Sequence, residues 1–146
     1  MRVTVDTSIL VRMNVKASGP ARELLRFFEA KETILVLSSF LLDEVARVLT
    51  YPRVSAIYRL SDEEVAQHVE LLRSVSMMVT PVEGPPVVLA DPNDDPVIYT
   101  AFAGDADVLC TIDRHFYEPN VLSFCSRYGI QVVDDVELLY MLRSAG

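Results

Sequence analysis

Asp6 closes the β-branched run "RVTVD", and Asp113 closes the apolar run "DVLCTID". Between them in the chain stand Glu44, in "LLDEVARVL", and the adjacent pair Asp94 and Asp95, in "ADPNDDPVIYTAF". Carboxylates brought close together repel one another, so a cluster of them needs protons or a cation. Ligand sets made only of oxygen select hard ions such as Mg²⁺ or Mn²⁺ over zinc. One or two such ions orient a water, lower its pKa and stabilise the charge of an in-line attack at phosphorus. The chemistry suggested is phosphodiester hydrolysis, and it requires the elements carrying these acids to converge.

The elements read clearly along most of the chain. Residues 2–6 alternate in strand fashion, and "TSILVRMN" turns directly into a short helix. Ser18-Gly19-Pro20 starts a second helix that runs to about residue 30, with Leu24, Leu25, Phe27 and Phe28 as its apolar face. "TILVLS", residues 33–38, is apolar throughout, as a strand buried on both sides requires. Ser38 or Ser39 opens a helix that ends at Tyr51-Pro52. "SDEE" caps a further helix from Ser61 to Ser74. Residues 77–82 and 107–113 read as strands, with a helix from Asp95 to about Phe102 between them. Residues 119–128 read as helix, 130–134 as strand, and Asp134 or Asp135 begins a closing helix to Leu142.

Helices alternating with short apolar strands predict one three-layer α/β/α sandwich around a parallel sheet, spanning residues 1–146. In such sheets ligands bind at the carboxyl ends of the strands, near the point where strand order reverses. Asp6 and Asp113 fall at two such ends, Asp95 at the start of the helix before the second, and Glu44 early in the helix after "TILVLS". Each acid also has an ordinary reading. Asp6 and Asp113 suit turns, Asp95 before Pro96 suits a helix cap, and Glu44 suits a solvated helix face. Asp94 is left open as an alternative ligand or supporting acid beside Asp95.

Composition narrows the classes further. The 146 residues are 51% hydrophobic, which suits one domain with a real core. The net charge of −8 argues against binding nucleic acid by bulk charge, but leaves room for binding through a divalent cation or a basic protein. Cys110 and Cys125 stand apart in apolar settings, which predicts buried free thiols and a cytoplasmic location. No apolar run reaches membrane-spanning length, so no membrane partner is expected.

Taken together, "VDTSIL", "LLDEVARVL", "DPNDDPVIYTAFAGDADVLCTIDRHF" and "YGIQVVDDVELL" resemble, in order and over nearly the whole chain, the PIN-domain family of metal-dependent nucleases. The "DPNDDP" form is most similar to the toxin–antitoxin branch related to VapC-type toxins. The resemblance implies an acidic quartet of Asp6, Glu44, Asp95 and Asp113, with Asp6, Asp95 and Asp113 on the metal. It implies support from Ser8 and Thr111 through their hydroxyls. It also implies Mg²⁺- or Mn²⁺-dependent cleavage of single-stranded RNA, an antitoxin partner and a homodimer, with the helices near 20–30 and 38–50 as candidate contacts. The family often carries another acid two positions after its last aspartate. Here His115 holds that place, which leaves fewer negative charges for a second ion and offers a contact to phosphate.

Two other α/β readings fail on particular residues. A receiver domain needs a late lysine, and none follows Lys31; a haloacid-dehalogenase-type phosphatase needs an acid where Ser8 stands. A non-catalytic PIN-like module that binds RNA or protein is the remaining alternative.

Overall fold

The computed structural model describes residues 1–145. The sheet has five strands: β1 (Arg2–Val5), β2 (Ile34–Leu37), β3 (Ser76–Met78), β4 (Val108–Cys110) and β5 (Gln131–Val133). Their order is β3-β2-β1-β4-β5, and every neighbouring pair is parallel. The three-layer fold expected from the alternating pattern is therefore present. Val3, Val5, Leu35, Val36 and Leu37 are fully buried, so consecutive residues point into both flanking layers without exposure.

The chain moves leftward from β1 to β2 to β3, then crosses back to β4 and moves rightward to β5. Right-handed crossovers put the connections of these two halves on opposite faces. One face carries α1 (Thr7–Val11), α2 (Pro20–Glu29), α3 (Ser39–Leu49) and α5 (Asp62–Val75), joined by the closing α8 (Asp135–Ala145). There α1 packs on α3, α3 on α5 and α2 on α8. The other face carries α6 (Asp95–Ala103) and α7 (Pro119–Arg127), locked by edge-on contacts of Tyr99 with Phe124 and of Phe102 with Tyr128. The direction reverses between β1 and β4, which opens a crevice at their carboxyl ends.

Most local signals act as chemistry dictates. In α2, Ala21, Leu24, Leu25 and Phe28 form one buried stripe. Ser61 and Glu64 make both halves of a capping box on α5. Cys110 and Cys125 are buried free thiols, and burial pushes both thiol pKa values up, to about 11 for Cys125. No helix among the described residues is long and apolar enough to cross a membrane.

Two elements differ from expectation. The strand predicted over 77–82 pairs only at Ser76–Met78, because Pro81 and the Gly84-Pro85-Pro86 run supply few ladder donors. Pro52 ends α3 as expected, yet it also opens α4 (Pro52–Tyr58) as its first residue, where a missing N–H costs nothing.

The end of α6 passes over β2 with no space between them. A Cβ on Gly104 would collide with the buried Val36 side chain. Gly104→Ala should therefore lower stability by about 1–3 kcal/mol through overpacking, read as a shift in the denaturant midpoint. An unchanged midpoint would mean that α6 can lift off the sheet at no cost.

Candidate functional site

The crevice is built first from β1. Asp6 follows Val5 directly; its backbone is extended and its N–H still donates to Cys110 O at 2.9 Å, so the ladder with β4 continues through it. The carboxylate then caps α1, with Oδ1 accepting from Thr7 N at 2.7 Å. Oδ2 accepts from the hydroxyl of the fully buried Thr111 at 2.9 Å. Thr111 Oγ1 in turn accepts from Asp113 N at 3.0 Å. The accepted bond leaves the Thr111 proton to point at Asp6, so a directed relay crosses the gap between the two strand ends.

Asp113 sits in extended backbone just past β4, and its Oδ1 accepts from His115 N at 2.9 Å. That turn starts a short 3₁₀ segment, Arg114–Tyr117, fixed from its far end by Tyr117 Oη donating to Thr111 O at 2.8 Å. Glu44 is half-buried on α3, which packs against α1 and so carries it toward Asp6. Asp6, Thr7, Ser8, Glu44, Val48, Asp94, Ile112 and Asp113 line one cleft of about 320 Å³.

Asp94 lines this cleft and Asp95 does not, whereas the sequence expectation placed Asp95 here with Asp94 as the alternative. A 3₁₀ turn, Pro92–Asp94, capped by Asp91, precedes α6 and sets the phase of the two acids. Asp95 occupies the first helical position instead of the cap, and its Oδ1 accepts from Val87 N at 3.1 Å and Val88 N at 2.8 Å. Its side chain lines a neighbouring cavity with Phe40, Gly84 and Tyr99. Asp94 holds the cap position without making a cap bond. The distinction depends on a contact seven residues back, which helix-start signals do not encode.

The PIN domain matches residues 2–115 of this chain. The chain belongs to the PIN-domain family. No curated protein sequence matches it. Crystal structures that share the fold include the following two. PAE2754 from Pyrobaculum aerophilum is similar at 18% identity and a TM-score of 0.62, over 99% of this chain and 90% of that one. VapBC2 from Rickettsia felis, bound to a DNA fragment from the promoter, is similar at 15% identity and a TM-score of 0.56, over 92% of this chain and 98% of that one.

The electrostatics of this PIN domain's cleft are those of crowded acids. Burial pushes the Asp6 carboxyl up to about 6, against the bonds from Thr111 and Thr7 and with help from the charges of Asp113 and Glu44. Asp94 is pushed up to about 7, by burial first and then by Asp91, Asp6, Asp113 and Glu44. The cleft also holds hydroxyls without partners: Thr7 Oγ1 and Ser8 Oγ are buried and hydrogen-bonded to nothing in the protein. Ser8 was a candidate from sequence, but Thr7, in the same "DTS", carried no separate signal. Repelling carboxylates beside unsatisfied oxygens make a donor set that fits a hydrated divalent cation. One acid–acid–imidazole group, Asp94, Asp113 and His115, has ligand atoms all within 4.8 Å of one another.

The raised Asp6 pKa carries a stability consequence. Folding favours the protonated form, so this carboxyl's stabilising contribution is complete below its ordinary value of 3.8 and lost as pH rises through about 6. In EDTA, Asp6→Asn should stabilise the fold at pH 7.5 by on the order of 2 kcal/mol, and the gain should vanish near pH 3.5. Thermal denaturation of both proteins at the two pH values measures it; a gain equal at both would refute the burial argument.

Proposed function

We propose that this PIN domain, taken over residues 1–146, is a Mg²⁺- or Mn²⁺-dependent endoribonuclease that hydrolyses single-stranded RNA. The observation that carries the reading is the convergence of Asp6, Glu44, Asp94 and Asp113 on one cleft at the reversal point of the sheet. In this reading Asp6, Asp94 and Asp113 hold the cation, with Glu44 facing them. The bound ion supplies a water of lowered pKa and stabilises the charge built up at phosphorus.

The residues of the chain do the positioning. Thr111 keeps Asp6 aimed into the cleft by donating to Oδ2. Ser8 and Thr7 line the cleft beside these acids, with buried hydroxyls that no protein group satisfies. An RNA phosphate alone would be repelled by four carboxylates, so the cation is required for substrate binding as well as for the chemical step.

The reading extends to partners. Toxin and antitoxin occur together in the VapBC2 structure, and the likeness to it supports a toxin role with a protein antitoxin. A net charge of −8 suits a partner that presents arginine or lysine to the carboxylates. A cytoplasmic homodimer completes the proposal.

The test is cleavage of labelled single-stranded RNA with Mn²⁺ and with EDTA. Asp6→Asn, Asp94→Asn and Asp113→Asn should each cost about a hundredfold or more. Asp95→Asn keeps an oxygen for the Val87 and Val88 amides and should cost far less. RNA binding by a wild type as inert as Asp6→Asn would instead establish the non-catalytic binding module. Equal losses at positions 94 and 95 would refute the assignment of Asp94.

A further inference from the structure

The imidazole of His115 joins Asp94 and Asp113 of the cleft in one donor group. The turn at Asp113 accounts for the His115 backbone N–H, which Asp113 Oδ1 accepts at 2.9 Å. It does not account for the imidazole. Nδ1 lies 3.7 Å from Asp113 Oδ1, too far for a hydrogen bond, and a third ligand atom, from Asp94 ahead of α6, completes a group within 4.8 Å. Two donors each ~2.1 Å from one ion stand ~3.0 Å apart when adjacent and ~4.2 Å apart when opposite. The 3.7 Å separation of the histidine and aspartate atoms falls inside that span. A second observation points the same way. Thr7 is only 6% exposed, lines the cleft with Asp94 and Asp113, and its Oγ1 has no partner.

We propose that Asp94, Asp113 and His115 form a mixed nitrogen–oxygen cation site whose imidazole ligand turns the cleft away from Mg²⁺ and toward borderline divalent ions such as Mn²⁺ and Co²⁺. The inference rests on reading the cleft as a cation site, and it adds the identity of the ion. Mg²⁺ demands near-ideal octahedral oxygen coordination and gives up its waters reluctantly. Imidazole ligation favours transition ions, whose affinity for such sites rises along the first-row series. An acid at the same position would add charge and hard oxygen and so serve Mg²⁺. The histidine adds neither, and leaves one less carboxylate to repel its neighbours. Both His115 and Asp113 are about a third exposed, so an ion reaches them from solvent without any opening of the fold.

The full chain, stripped with EDTA and dialysed, is titrated with Mn²⁺, Co²⁺ and Mg²⁺ by calorimetry, and the Mn²⁺ form is examined by pulsed electron paramagnetic resonance. Wild type should bind Mn²⁺ at least about tenfold more tightly than Mg²⁺, and should show the nitrogen coupling of a bound imidazole. His115→Gln should abolish that coupling and weaken Mn²⁺ binding about tenfold. His115→Asp should restore oxygen and narrow the Mn²⁺-to-Mg²⁺ ratio about tenfold. Mn²⁺ bound without nitrogen coupling, but lost in Asp113→Asn, overturns the histidine ligand and leaves the cation site standing. Absence of any cation binding by wild type overturns both.

Discussion

The hydrogen bond from Thr111 to Asp6 joins the ends of the two strands on which everything at this site depends. β1 and β4 are neighbours through a parallel ladder, and the crevice lies where the chain changes direction between them. A carboxylate left alone at that edge would swing outward to water, because burial opposes its charge. The Thr111 hydroxyl, already committed as acceptor to the Asp113 amide, has only one place to send its proton. Asp6 is thus held in a partly desolvated position against its own preference. The same bond fixes the start of α1 and the departure of the chain after β4.

That constraint explains why the cleft is electrostatically expensive. Asp6 and Asp94 are both pushed toward neutrality by burial and by the charges of Asp113 and Glu44, and Asp94 also by those of Asp91 and Asp6. A structural network would pair these acids with arginine or lysine, yet the ion pairs among the described residues lie elsewhere, apart from the contact of Asp113 with His115. Stability is given up at one edge and supplied by the buried strands and helix faces. The pattern separates the crowded cleft acids from the acids of the Ser61-Asp62-Glu63-Glu64 cap, which stand in the first turn of α5 and help their helix.

How much of this was legible in the sequence depends on the range of the interactions. Asp6 and Asp113 could be placed because each ends a short apolar strand, and parallel topology carries strand ends to one edge. Glu44 could be placed because it follows a strand within the first turns of a helix. The choice between Asp94 and Asp95 could not be made, since both adjoin the same proline and both satisfy the rules for a helix start. What separates them is the 3₁₀ turn at Pro92–Asp94 and two amides at Val87 and Val88, in a segment with no regular structure of its own. α4 was missed for a related reason: Pro52 is read as a stop, although the same residue is a favoured first position.

Asp95 is therefore tied into the structure by the segment that it grips. Residues 80–91 carry no ladder, yet Val87 and Val88 are buried in the core. They are held there by side chains of α6 and α7. Asp95 accepts from both of their amides, Tyr99 Oη donates to Pro85 O at 2.6 Å, and Asn120 on α7 donates to Val87 O. Gly84 lies against the Tyr99 ring so closely that a Cβ would strike it. A segment pinned from α6 and α7 in turn fixes where the chain re-enters helix, and so fixes the direction of Asp94. The acid that faces the cleft is aimed by the acid beside it. Two adjacent aspartates, alike in type and in local sequence, divide the labour because one is satisfied by backbone amides and the other is left facing its own kind.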